Sequence, residues 1–163
     1  MEQGGFDFDT KPPPPGISLR EAIAEVDANK AAGIFSHCPC CDQGVKVYGR
    51  KITGVMVAQL FQMGGEGPVH PKNIKHQSLG RDWGKLCYWN LAQHNEDGNW
   101  RCTERGYFFL HDKIKVPKHA YVFNQDVLGH GDELVGVRDC MGARFDYDEL
   151  MAVTTFPPDW EMT

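Results

Sequence analysis

Apolar positions recur along this chain with a changing period, and each change marks an element. Within residues 17–30, Leu19, Ile23 and Val26 fall at spacings of four and three, which predicts one apolar stripe on an amphipathic helix. Ser18 precedes it with Glu21 three residues on, the spacing of a capping box, and Gly33 is a natural stop. Val45-Lys-Val-Tyr48 alternates like a short strand. Residues 52–63 return to the helical period, with Ile52, Val55 or Met56, Leu60 and Met63 on one face and Gly64-Gly-Glu-Gly67 as terminator.

Residues 69–80 form a polar connection. Asp82 then caps a predicted third helix over 83–93, with Trp83, Leu86, Cys87 and Leu91 facing inward. Glu96-Asp-Gly98 is a hairpin turn signal, followed by a return strand at 99–103 and a short helix at 104–112. Residues 116–123 and 133–138 read as strands of a small terminal sheet, and 145–151 as a last turn or short helix. Helix, helix, helix, hairpin is the winged-helix layout. The expected fold is therefore α+β: a helix-turn-helix with a β-hairpin wing and a small C-terminal β extension. In that layout the third helix enters a major groove. The expected organisation is a flexible Pro-rich leader at 1–16, ending in Pro12 to Pro15 as an extended arm, one domain at 17–151, and a tail at 152–163.

Charge sharpens this picture because it is segregated. The net of −5 divides into −4 over residues 1–43, +6 over 44–119 and −7 over 120–163. A basic middle between acidic ends suits a polyanion-binding centre better than the total suggests. The chain has no apolar run long enough for a membrane span, and residues 1–15 lack the basic and apolar regions of a signal peptide. The expected location is the cytoplasm, with no membrane partner.

Several pieces together resemble an uncharacterised family of small phage and prophage proteins, winged-helix-like, with a Cys-Pro-x-Cys knuckle. They are Cys38-Pro-Cys-Cys41, Val45-Lys-Val-Tyr48 with Arg50-Lys51, Lys85-Leu-Cys-Tyr-Trp-Asn-Leu91, residues 100–106, Val116-Pro-Lys118 and Phe145-Asp-Tyr-Asp-Glu-Leu-Met151. The resemblance spans roughly residues 18–151. It implies a viral or prophage origin, hence a bacterial host cell, and carries no activity with it.

Two constellations bear on chemistry. Cys38 and Cys41 have the C-x-x-C spacing of half a zinc site, within a knuckle at 37–44; His37 and His70 are the candidate completing ligands, beside Cys40 and His76. The expectation is one structural zinc, with a reduced cysteine cluster as the alternative. The second constellation is cationic: Lys46, Arg50, Lys51, Lys72, Lys75, Arg81 and Lys85, set to neutralise phosphates if folding brings them to one face. The wing tip, His94-Asn-Glu-Asp-Gly98, is acidic and argues against a minor-groove wing. No catalytic motif is recognisable, so an enzyme is not expected. The reading that results is a regulator binding duplex DNA. Its alternative is a protein–protein module that inhibits or modulates a host nucleic-acid-processing or defence protein, its acidic termini imitating nucleic-acid charge. Winged-helix regulators are often dimers, which admits a homodimer, although no long apolar heptad marks an interface.

Overall fold

The computed structural model describes residues 16–40, 42–65, 67–123 and 125–156. The chain is of mixed α+β class and divides into two compact units, one made of residues up to 48 together with 122–126, the other of 49–121 and 127 onward. The leader at 1–15, Cys41 and the tail beyond 156 lie outside the described residues.

In the first unit, helix α1 spans Leu19–Ala31 and starts where the capping box places it. The Glu21 amide donates to Ser18 Oγ at 3.3 Å and the Ser18 amide donates to Glu21 Oε2 at 2.8 Å. The hydrogen bonds from Ser18 hold the Glu21 carboxyl below its ordinary pKa. The expected inward stripe is corrected: Leu19 and Ile23 are exposed, Ala22 is the buried residue of α1, and Val26 is half-buried. Ala22 and Val26 are four apart, so the helix is turned by one position relative to the stripe that residue type suggests. Strands β1 (Ser36–His37) and β2 (Gly44–Val45) pair antiparallel, His37 opposite Gly44. The connecting turn is closed by Cys38 N–H to the Gln43 carbonyl at 2.8 Å and Asp42 N–H to the Cys38 carbonyl at 2.9 Å. The single strand expected at 45–48 is instead interrupted, β2 ending at Val45 and β3 running Tyr48–Lys51.

The second unit is organised on helix α2, Gly54–Gly65. It starts two residues later than expected because Thr53 caps it, its Oγ1 accepting from the Met56 amide at 3.4 Å. Ile52 stays outside the helix but is buried, its amide bonded to the Lys118 carbonyl at 3.0 Å. Met56 to Phe61, Met63 and Gly64 are all buried, so α2 is covered on nearly every side. Short 3₁₀ turns follow at Pro71–Asn73 and Gln77–Leu79.

The expected third α-helix is a seven-residue 3₁₀ helix, Trp83–Trp89, stopped at Asn90 in the left-handed region (φ 55°). At three residues per turn, positions i and i+3 eclipse. Leu86 and Trp89 therefore share the inner side and Cys87 turns outward, against the expectation that it faces the core. The Trp89 indole N–H donates to the Pro117 carbonyl at 2.6 Å, pinning the segment from below. The rest of the predicted helix is strand: β4 (Ala92–His94) pairs antiparallel with β5 (Trp100–Cys102), and the hairpin turns through Asn95 to Gly98 as expected. Val69 adds a lone antiparallel bridge to Trp100.

Helix α3, Glu104–Leu110, is capped by Thr103, whose Oγ1 accepts from the Gly106 amide at 3.0 Å and donates to the Asn90 carbonyl at 2.6 Å. Strands β6 (Val116–Pro117), β7 (His119–Phe123), β8 (Asp126–His130) and β9 (Leu134–Val135) follow. They form a β6–β9 pair and a sheet ordered β3–β7–β8. The strand expected over 133–138 ends at Val135. Helix α4, Val137–Met141, replaces its second half because the Asp139 carboxylate accepts the Gly136 amide at 2.8 Å. Helix α5 is Tyr147–Val153, capped by Asp146. Among the described residues no helix is long and apolar enough to cross a membrane.

Two predictions follow from this packing. A Cβ on Gly106 would overlap the Leu91 carbonyl oxygen and stand 2.7 Å from Cys102 Sγ, so Gly106→Ala lowers unfolding stability by about 3 kcal/mol or more in urea titration. His111 lies between the Tyr107 and Phe156 rings at 4.2 and 4.5 Å, its Nε2 buried without a hydrogen-bond partner among the described residues. Burial, helped by Lys113, lowers its pKa. The unfolded chain therefore takes up this proton first as pH falls. Stability is expected to drop from about pH 6.5 downward, and His111→Phe is expected to remove that part of the pH profile.

Candidate nucleic-acid interface

The polar connection at 69–80 is ordered by two glutamines of α2. Gln59 is fully buried and its Nε2 donates to the Gly80 carbonyl at 2.9 Å. Gln62 Oε1 accepts from the Lys75 amide at 2.8 Å. Between them Ile74 inserts into the core, and Gln77 Nε2 donates to the carbonyls of Pro71 and Ile74, both at 2.7 Å. With its backbone tied down at both ends, the segment presents Lys72, Lys75, His76 and Arg81 outward, all exposed. Lys72, Lys75 and Arg81 make no ion pair among the described residues.

The remaining cations divide. Lys85 is half-buried and neutralised by Asp82 at 2.6 Å. Arg50 and Lys51 are on β3, ahead of α2, and Lys51 lines a polar cleft of about 530 Å³ with Thr53, Lys118, Glu133, Asp139 and Cys140. Lys75 lines a different cleft of about 380 Å³ near the other end of α2, over Phe61, Leu150 and Val153. A twelve-residue helix spans about 18 Å, so these are two separate cationic sites and not one patch. Lys46 belongs to the first unit, its ammonium 5.8 Å from the centre of the Tyr48 ring. Of the seven, Lys72, Lys75 and Arg81 thus share one ordered segment, exposed and in no ion pair among the described residues. Sequence reasoning missed the residues that position them, Gln59 and Gln62. Two amides inside an otherwise apolar helix were the available signal.

His37 is exposed with its ring 5.0 Å from that of Phe35, and Cys38 is at the mouth of the β1–β2 turn. Cys41 lies outside the described residues. His70 belongs to the second unit, where its Nδ1 accepts from the Lys72 amide at 3.2 Å and caps the first 3₁₀ turn. Among the described residues no group of three or more His, Cys, Asp or Glu is placed to hold a metal ion, whereas a closed zinc site needs four ligands. Burial pushes the Cys102 thiol up to about 12. Burial, with Asp139 adding to it and Lys51 opposing, pushes Cys140 up to about 11. Both are thiols, not thiolates, at neutral pH.

Comparison with protein-family models, curated proteins and solved structures gives no match.

Removing the Gln59 side chain is expected to loosen the cationic segment. Gln59→Ala leaves the Gly80 carbonyl without its donor and opens a cavity, with an expected stability loss of about 2 kcal/mol. Amide hydrogen exchange over residues 79–84 is expected to accelerate beyond the change in global stability; unchanged exchange there would show that Gln59 does not order this surface.

Proposed function

We propose that the second unit is a reduced winged-helix module that binds duplex DNA, acting as a regulator of transcription or replication. The Val69–Trp100 bridge carries this reading. In order, the chain runs through α2, the bridging residue Val69, the 3₁₀ turns, the 83–89 segment and the β4–β5 hairpin. The bridge joins the residue just after the first of these helices to the returning strand of the hairpin, which gives the hairpin a third strand as in a winged-helix sheet. On this reading α2 is the first helix of the module, and α1, in the other unit, is not part of it.

Electrostatics favours a contact along residues 72–81. The outward Lys72, Lys75 and Arg81 carry charge that no described acid cancels. Glu96 and Asp97 at the hairpin tip are exposed and repel phosphate, so the wing stays off the backbone. The 83–89 segment, a seven-residue 3₁₀ helix, is too short to lie deep in a major groove. Phosphate contacts therefore supply most of the affinity, with modest sequence preference.

The test is duplex binding titrated across salt. The parent is expected to show a steep salt dependence. The double variant Lys72→Glu with Arg81→Glu is expected to weaken binding at least tenfold and to reduce the slope of log K against log salt by about two. Lys85→Glu is expected to matter less, since Asp82 already holds that ammonium. Absence of duplex binding at low salt would overturn this reading.

One observation favours the second reading, a protein-docking module acting on a host protein. Leu19 and Ile23 on α1 are 69% and 53% exposed, and Ile34 and Phe35 just beyond it are 56% and 57% exposed. Four large apolar side chains in one small unit suit a protein partner.

A further inference from the structure

The β3–β7 pair carries a surface that duplex binding through residues 72–81 does not use. The Ile52 amide bonds to the Lys118 carbonyl at 3.0 Å, and counting antiparallel from that bond sets Lys51 opposite His119 and Gly49 opposite Tyr121. Ala120 is buried, and side chains alternate along a strand, so His119 and Tyr121 share the outer face with Gly49 and Lys51. Tyr121 is 44% exposed.

Its neighbours are glycines that the backbone does not require. Neither Gly49 nor Gly131 has a positive φ. A Cβ on Gly49 would meet the Tyr121 ring at 3.6 Å, and one on Gly131 would stand 3.6 Å from His119 Cβ and 3.8 Å from the Tyr121 hydroxyl, all ordinary contacts. Gly54 and Gly106 differ, because there a Cβ collides with backbone. Glycine in or beside a strand costs conformational entropy and forgoes side-chain packing. What it supplies here is an aromatic ring left uncovered from both flanking segments. Lys51, next along the same face, is exposed and makes no ion pair among the described residues, whereas Lys118 is held by Glu133 at 2.7 Å.

We propose that Tyr121 is a stacking platform for a base of single-stranded nucleic acid, with Lys51 and His119 meeting the adjoining phosphate. An exposed aromatic ring with no side chain beside it at position 49 accepts any base, and a cation beside it selects a phosphodiester over an uncharged sugar or a proline-rich peptide. A base paired in a duplex cannot reach the ring face, so the site prefers single strands. This proposal is independent of the duplex reading.

The experiment is fluorescence anisotropy of a short labelled oligothymidylate titrated with the full chain at low salt, and of a duplex of mixed sequence as reference. Tyr121→Ala is expected to weaken single-strand binding about tenfold or more, and Tyr121→Trp to retain it. Gly49→Val gives a second arm: a β-branched residue suits the strand and preserves the melting temperature, but it crowds the ring and is expected to lower affinity. Lys51→Glu is expected to weaken binding and flatten its salt dependence. Single-strand affinity unchanged in both Tyr121→Ala and Gly49→Val would overturn the platform, as would failure of the folded parent to bind the oligonucleotide. The Lys72→Glu, Arg81→Glu variant separates the two proposals, because it is expected to lose the duplex and keep the single strand.

Discussion

Burial of α2 on nearly all sides is the constraint from which the second unit is built. A helix that is apolar around most of its circumference cannot rest on one layer; it needs neighbours in several directions. Those neighbours are α3, α4, β5 and the 83–89 segment. Two of the approaches are backbone-close: Gly54 leaves room for the carbonyls of Cys140 and Met141, and Gly106 lets α3 sit against the Leu91 carbonyl. A residue with a side chain at either place would force the layers apart, because interiors are packed at crystal-like density.

The same helix organises the surface. Its two amide side chains, Gln59 and Gln62, reach out of the core and fasten the backbone of residues 75 and 80. A loop held by its main chain frees its side chains, which is why Lys72, Lys75 and Arg81 face water together. Burying an amide is costly unless it is bonded. Gln59 Nε2 meets that requirement while its Oε1 has no partner among the described residues. Core and candidate interface are therefore coupled through one side chain, and a change that loosens the first loosens the second.

Elements with a local chemical signal were legible in the chain. Ser18 with Glu21 marks the start of α1, and Asn95 to Gly98 marks the hairpin turn; each is a short-range hydrogen-bond pattern that needs no distant partner. Elements whose form depends on distant contacts were misread. Residues 83–89 have a helical apolar period, yet they wind as 3₁₀ with Trp89 tied to Pro117 twenty-eight positions away. Val137 and Arg138 read as the end of a strand, yet Val137–Met141 turn as helix around the Gly136–Asp139 bond. β8 went unseen because Val127 and Leu128 are both exposed, so no alternation of buried and solvated positions marks it.

By itself the sequence determined the segregation of charge, the Ser18 cap, the Asn95 to Gly98 turn and an α+β class, because these depend on residue identity and neighbours a few positions apart; Asp82, expected as a cap, pairs its carboxylate with Lys85 instead. The tertiary structure alone decided which cations meet. α2 separates Arg50 and Lys51 from Lys75, Asp82 cancels Lys85, and Lys46 falls in the other unit, so that of the seven Lys72, Lys75 and Arg81 share one segment, exposed and in no ion pair among the described residues. It also decided that Tyr121, in a stretch of alternating residues with no motif, is exposed beside Gly49, with Gly131 near its hydroxyl. Proximity between such distant positions is created by packing, and no period or spacing along a chain encodes it.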